Sequence, residues 1–415
     1  QRMTPLTSRF ATREELLSVH SKELVQLISS IPDTDPSQLH QWEGRYTSVY
    51  FNRDTYTAAS LAAGSLMQVV SAVVSGESSR GGVAIIRPPG HHAEHDQPNG
   101  FCIFNNVAIA TKHALDQLNL SRILIVDWDI HHGNGIQHTF YSDPRVLYVS
   151  MHLYKNATFF PNSTDADLDK LGEGEGRGYN INIPWQKGGV GDAEYLAAVS
   201  QVVLPVGYQF APQLVIISAG FDAAVNDPVG GCSVSPQCFG HMTQLLSSLA
   251  GGRLVLALEG GYNIISTSYS LAACVSALLG DAIAAPEPPL LPAPHAAATI
   301  NAVLDAAAAH WPVLAPYRVD LPAPGTDISI QEEMNGASTL DCPWRRSGHR
   351  EDAPPSAPTD RALTNSESER DKLVVEMADM TLDDCGSKAD GGCSAGGHPS
   401  VDAGASAAGA SATGA

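Results

Sequence analysis

The chain has 415 residues, 43% hydrophobic and 16% charged, enough for one large α/β domain or two smaller ones. Its formal charge of −20 is uneven: residues 322–415 carry 16 acidic against 7 basic side chains, net −9, and residues 1–321 carry −11. Such an acidic surface disfavours nucleic acid as a direct partner and tolerates basic protein segments. Seven cysteines without close metal-finger spacing suit reduced thiols of the cytoplasm or nucleus, and no run of about 18 apolar residues or signal peptide points to a membrane. The sequence opens on Gln1 and not on Met, so a piece of a longer protein is an open reading.

In chain order, Thr12-Arg13-Glu14-Glu15 has the form of a capping box, and the apolar spacing that follows predicts a helix to about Ile28. Residues 32–54 read as loop. A long Ala-rich helix runs from Thr55 to about Val74 and stops at Ser75-Gly76. Val83 to Ile86 is a short apolar strand that runs into Arg87-Pro88-Pro89-Gly90-His91-His92-Ala93-Glu94, where a rigid turn could hold two adjacent histidines on one reacting atom. Gly100-Phe101-Cys102 precedes a helix from Val107 to Leu118; Phe101 is either core or the wall of an apolar slot, and Cys102 beside histidines also allows a thiol nucleophile.

The densest chemistry follows the next strand. Ile123 to Val126 is an unbroken apolar run, as expected of a parallel strand buried on both faces, and it ends in Asp127-Trp128-Asp129-Ile130-His131-His132-Gly133-Asn134. If strand geometry persists past Val126, Asp129 and His131 share a face and form a carboxylate and imidazole pair suited to zinc or a similar divalent ion. A third ligand must then come from elsewhere. Val146 to His152 is another strand, Phe159-Phe160-Pro161 an aromatic pair in a loop, residues 162–178 a long surface loop, and Tyr179 to Ile183 an alternating strand. Asp192 to about Phe210 reads as a helix that Pro205 should distort. Leu214 to Ile217 leads to Asp222, which completes an Asp, His, Asp set, and Arg253 to Leu258 leads to Glu259-Gly260-Gly261-Tyr262-Asn263, whose paired glycines would bring the tyrosine hydroxyl into the site. Helices from Thr267 to Leu279 and Ala296 to His310 close the folded part. From about Leu321 the composition turns to Ala, Gly, Ser, Pro and acids, which supports no packed core apart from a short amphipathic stretch at Leu373, Met377 and Met380.

These motifs together resemble the zinc-dependent histone deacetylases: the Pro-Pro-Gly-His91-His92 turn, Asp127-Trp128-Asp129-Ile130-His131-His132-Gly133-Asn134, Ser218-Ala219-Gly220-Phe221-Asp222, and Glu259-Gly260-Gly261-Tyr262. The resemblance runs from about Thr4 to Leu321 and is nearest to class IIb, in particular the second catalytic domain of the two-domain cytoplasmic tubulin deacetylase. It implies an α/β arginase-like fold, a central parallel sheet flanked by helices with the active site at the carboxyl ends of the strands, over residues 1–321, with 322–415 as a disordered tail. It implies zinc on Asp129, His131 and Asp222; His92 as general base and acid with His91 as electrostatic partner; Tyr262 on the oxyanion; Phe101 and Phe160 as tunnel walls; and Ser48 accepting from the acetyl-lysine amide. Asp127 and Ser150 would contribute to a structural potassium site. Asn134 stands where class I enzymes have aspartate, which points to class II. Val229 stands where polyamine deacetylases carry a glutamate, so acetylated proteins such as tubulin or histones are the implied substrates, in the cytoplasm and also the nucleus, with regulatory protein partners open. An acetylpolyamine amidohydrolase and a catalytically silent acyl-lysine-binding scaffold remain as alternatives.

Overall fold

In the computed structural model, residues 2–76, 80–288 and 290–320 are described, and the expectations for the tail and for the stretch around Met377 lie outside them. Six strands, β1 (Gly81–Ala84), β2 (Ile123–Asp127), β3 (Val146–Leu153), β4 (Asn180–Trp185), β5 (Leu214–Ala219) and β6 (Leu254–Leu258), form one parallel sheet in the order β1-β6-β5-β2-β3-β4. The chain lays β3 and β4 outward from β2, then returns to add β5 on the other side of β2. That reversal opens a crevice beyond the carboxyl ends of β2 and β5, where open α/β sheets bind ligands.

Helices α1 (Arg13–Leu17), α2 (Lys22–Ser29), α3 (Pro36–Glu43), α4 (Thr55–Ser75), α5 (Asn106–Asp116), α6 (Asn134–Phe140), α7 (Asp192–Ala198), α8 (Leu204–Phe210), α9 (Pro236–Leu246), α10 (Ile264–Leu278) and α11 (Pro294–Ala307) flank the sheet. Both faces are covered, which is why β2 needs no polar alternation: Leu124 and Val126 join the core under α7, α9 and α11, while Ile123 and Ile125 join the core under α2, α4 and α5. Every residue of β4 is buried too, contrary to the expected alternating strand; Asn180 and Asn182 are accommodated because their side-chain amides donate to Gln137 Oε1 at 3.0 and 2.9 Å.

Several expectations shift. The first helix is two, because Ser21 caps a new start after the capping box of Thr12 and Glu15. Residues 32–54 are not all loop: Asp35 caps α3, with Pro36 in its first turn. Strand β1 sits two residues earlier than the apolar run, leaving Ile85 exposed. Pro205 does perturb its helix, since the five residues Val199–Val203 form a π-helical segment just before it and absorb the lost N–H. Helix α4 is 21 residues long with a mean hydropathy of 1.6, long and apolar enough to cross a membrane, so the sequence does hold such a run. Here it packs as a core helix, with Leu66, Met67 and Val70 fully buried.

Gly64 is the tightest point of that packing. A Cβ there would lie 2.1 Å from the Arg9 carbonyl oxygen and 2.6 Å from Ala11 N, next to the 2.8 Å hydrogen bond from Ala11 N–H to Ser60 O. Gly64→Ala should therefore destabilise the fold by about 1–3 kcal/mol in denaturant melts. Gly44→Ala, whose Cβ meets nothing nearer than 3.7 Å, should leave the midpoint unchanged.

Candidate active site

The ladder of β2 ends at Asp127, yet the alternation persists: Trp128 and Ile130 enter the core while Asp129 and His131 turn to the crevice. There they meet Asp222 from the end of β5, all three buried and with ligand-type atoms within 4.8 Å of one another. His131 Nδ1 lies 3.1 Å from Asp129 Oδ1 and 2.9 Å from Asp222 Oδ2. Backbone donors aim the carboxylates: Ile130 N–H to Asp222 Oδ1 at 2.8 Å, and Gly260 N–H to Asp129 Oδ2 at 2.9 Å. A Cβ on Gly260 would come within 2.6 Å of Asp129 Oδ2 and 2.7 Å of Asp222 Oδ2, so the end of β6 can pass only as glycine. Burial and the charge of Asp129 push Asp222 up to about 7, the mark of a site short of positive charge. Burial opposes a charge on His131, but Asp129 and Asp222 outweigh it and raise the imidazole to about 10. Two carboxylates and one imidazole, desolvated and convergent, fit a divalent cation of the zinc type.

The turn after β1 brings the tandem histidines to the same crevice, their rings 4.0 Å apart. His91 Nδ1 is 3.1 Å from Asp127 Oδ2 and Nε2 is 3.8 Å from Asp129 Oδ2. Despite burial, Asp129 and Asp127 hold it up at about 10. His92 is the opposite case: burial, then the neighbouring His91 and His131, hold it well below the usual imidazole value, with Nδ1 2.8 Å from Asn134 Oδ1. Cys102 lies behind, its sulfur accepting from His92 N–H at 3.5 Å, and burial followed by the charge of Glu259 pushes the thiol well above its ordinary value. That environment disfavours a thiolate nucleophile.

Aromatic rings frame the mouth. Phe160 stands edge-on to His92 with centroids 5.0 Å apart, and Phe101 meets Tyr262 edge to face at 6.1 Å. Phe101 has a left-handed backbone, φ +68°, pinned by its N–H donating to Ser48 O at 2.9 Å, so Ser48 and Phe101 share one rim. Across it, Asp227 ties two further residues together: Oδ1 accepts from Val229 N–H at 2.8 Å and Oδ2 from Tyr262 N–H at 2.7 Å. Val229 is 47% and Tyr262 40% exposed. Burial and then Asp129 and Asp222 raise the Tyr262 hydroxyl, so it stays protonated. Asp127 and Ser150 face each other in register on β2 and β3, both buried; Asp127 Oδ2 accepts from Tyr148 at 2.9 Å, and Ser150 Oγ lies 2.8 Å from His152 Nδ1.

A family model described as the histone deacetylase domain matches residues 1–278. The chain belongs to that family. Similar proteins include the polyamine deacetylase HDAC10 of Mus musculus, 46% identical over 75% of this chain and 46% of the relative, and the histone deacetylase HDA1 of Saccharomyces cerevisiae, 44% identical over 74% and 44%. Histone deacetylase 5 of Arabidopsis thaliana is 44% identical over 76% and 48%. The chain thus spans about half the length of the curated relatives it matches. Among solved structures, the HD domain of HDA15 superposes with a TM-score of 0.69 at 38% identity, over 75% of this chain and 84% of that one.

Sequence reading of this deacetylase domain missed several residues that hold the site. Glu259 Oε2 accepts from Gly90 N–H at 2.7 Å and His91 N–H at 3.1 Å, splinting the histidine turn to β6. Phe159, seen only as one of an aromatic pair, stacks on His131 at 5.0 Å. Asp227 looks like a turn residue before Pro228, and nothing local marks its reach to Tyr262. His132, by contrast, is drawn away to Gln137 at 2.8 Å.

The charge balance carries a pH dependence. His91 and His131 titrate near 10 in the folded, metal-free chain against 6.5 free, so between those values the folded state holds protons that the unfolded chain has released. Stability of metal-free protein should fall as pH rises from 7 to 9. Added zinc should raise Tm, and more so at pH 9 than at pH 7, because the ion replaces those protons. Scanning calorimetry with chelator and with zinc measures both trends; a metal-free Tm that rises with pH in this window would contradict the charge balance.

Proposed function

We propose that the domain, residues 1–321, is a class II protein lysine deacetylase of the class IIb kind, hydrolysing Nε-acetyl-lysine to lysine and acetate. The observation that carries this reading is the convergence of Asp129, His131 and Asp222 with His91, His92 and Tyr262 at one crevice whose mouth is lined by Phe101 and Phe160. A zinc ion held by Asp129, His131 and Asp222 would supply Lewis-acid polarisation of the amide carbonyl and of a water. The rest falls to side chains. His92, uncharged at neutral pH, takes the proton of the attacking water and later returns it to the leaving lysine nitrogen. His91 provides fixed positive charge beside it, and the protonated Tyr262 hydroxyl donates to the oxyanion as it forms. A structural potassium, as the family resemblance implies, would be held by the register-paired Asp127 and Ser150 with carbonyls of Asp129, His131 and Met151.

For the substrate, the rim offers Ser48 as acceptor for the amide of an acetyl-lysine side chain, and the exposed Val229 offers no charge to a distal ammonium group. Acetylated proteins of the tubulin or histone kind suit this better than polyamines. The polyamine deacetylases among the relatives, 44–49% identical against 42–45% for the histone deacetylases, favour a second reading as a polyamine amidohydrolase. The four described cysteines are buried and unpaired, which suits a cytoplasmic or nuclear setting.

Three outcomes test this. Purified protein should carry one zinc per chain, lost in Asp222→Ala. Tyr262→Phe should keep the metal and substrate affinity while turnover falls by about 100- to 1000-fold, as for loss of one oxyanion donor. Wild type should prefer an acetyl-lysine peptide to N8-acetylspermidine in kcat/KM, and Val229→Glu should move that ratio about tenfold or more toward the polyamine, the equivalent of about 1.4 kcal/mol. A wild-type preference for the polyamine favours the second reading; zinc-loaded protein inert to both favours a silent scaffold.

A further inference from the structure

We propose that Glu94 is a positioning residue which fixes the orientation of the Asn134 amide and, through it, the tautomer of His92. The inference rests on the reading of His92 as the base. A carboxylate at position 134 would accept from His92 whichever way it faced. An amide must be held one way round, because its two ends have opposite hydrogen-bonding character.

The neighbours of Asn134 hold it. Nδ2 faces two groups that can only accept, the His92 carbonyl oxygen at 3.2 Å and the Glu94 Oε1 carboxylate oxygen in a short contact. With the amide reversed, its oxygen would meet both acceptors with no proton between them. Oδ1 is therefore turned to His92 Nδ1 at 2.8 Å, and that nitrogen must carry the hydrogen. Nε2 is left with its lone pair, the form a general base requires. Of the two acceptors Glu94 dominates, since a charge-assisted bond is roughly twice as strong as a neutral one.

Glu94 is built into place. Its backbone N–H donates to Gln97 O at 2.9 Å. Its carbonyl accepts from His20 Nδ1 at 2.9 Å; the other ring nitrogen of His20 accepts Asn105 N–H at 2.8 Å, so Nδ1 must be the donor. The carboxylate is clasped by two side chains one turn apart on α6: Asn134, and His138 with Nδ1 3.0 Å from both oxygens. His138 Nε2 lies 3.5 Å from Asp165, and Glu94 foremost raises its imidazole, so a cation faces the carboxylate. The start of α6 is sewn to the histidine turn by Gly135 N–H donating to His91 O at 3.0 Å.

The test is a double-mutant cycle on the zinc-loaded protein with an acetyl-lysine peptide. Glu94→Gln can offer Asn134 either end of an amide, so only the weaker hold of the His92 carbonyl remains; kcat should fall about 10- to 100-fold, the range for a group that orients an active-site histidine, with KM within about twofold. In the Asn134→Asp background the carboxylate needs no orienting, and adding Glu94→Gln should leave kcat unchanged or raise it by removing an adjacent like charge. A merely structural Glu94 would lower kcat in both backgrounds alike, and that result, or a Glu94→Gln variant with wild-type kcat, overturns the proposal. Nitrogen-15 NMR of the wild type gives a second reading that needs no variant to fold. His92 should carry its proton on Nδ1, and a proton on Nε2 overturns the proposal as well. Should wild type fail to hydrolyse the peptide, the proposed function falls, while the His92 tautomer still decides the role of Glu94.

Discussion

Everything at this site depends on keeping charge out of water at the ends of four parallel strands. Asp127, Asp129, Asp222, Glu259, His91 and His131 are all buried, and each would be costly alone. They are tolerable together because each carboxylate meets an imidazole or a backbone N–H, and Glu259 Oε1 takes the Ser218 hydroxyl at 3.4 Å. Burial drives Asp222 and Glu259 toward protonation, while Asp129, which faces both His91 and His131, is held below the ordinary carboxylate range despite the same burial. The polarity of the cluster is thus sorted by neighbours, and its shortage of positive charge suits it to a cation.

The sheet supplies the geometry that this balance needs. The candidate ligands follow the ends of β2 and β5, which are hydrogen-bonded neighbours with Asp127 opposite Ser218, and Gly260, just past β6, reaches over through its backbone. Because the strands are parallel and in register, their polar ends arrive at one level. The helices then close both faces with apolar side chains, leaving the crevice as the outlet.

Much of this was legible in the sequence because parallel strands buried on both faces leave an unmistakable trace: short apolar runs that stop at a carboxylate or histidine. The runs at Ile123, Leu214 and Leu254 each led to the right strand end. The illegible parts have physical reasons. Helix α3 buries only Leu39 and so has no apolar period, and α6 begins inside the candidate metal motif at Asn134, where the residues read as chemistry. Glu259 and Gly90 lie 169 residues apart and Tyr262 and Asp227 lie 35 apart, distances over which no local pattern carries information. The extent of α4 was legible, but its apolarity was not, because its alanines and serines hide a continuous hydrophobic helix.

Phe101 carries a consequence for recognition. Its left-handed backbone is an uncommon state for a bulky residue, sustained by the hydrogen bond to Ser48 O and by the neighbouring Gly100 N–H to Thr47 O at 3.0 Å. A backbone held this way has given up its freedom during folding, which fixes where the half-exposed Phe101 ring is rooted. Association would therefore forfeit little backbone disorder at this rim. On the proposed reading of Phe101 as a wall of the acyl-lysine slot, bulk added near the reacting carbon would be penalised sterically, whereas changes beyond the rim would be read only weakly.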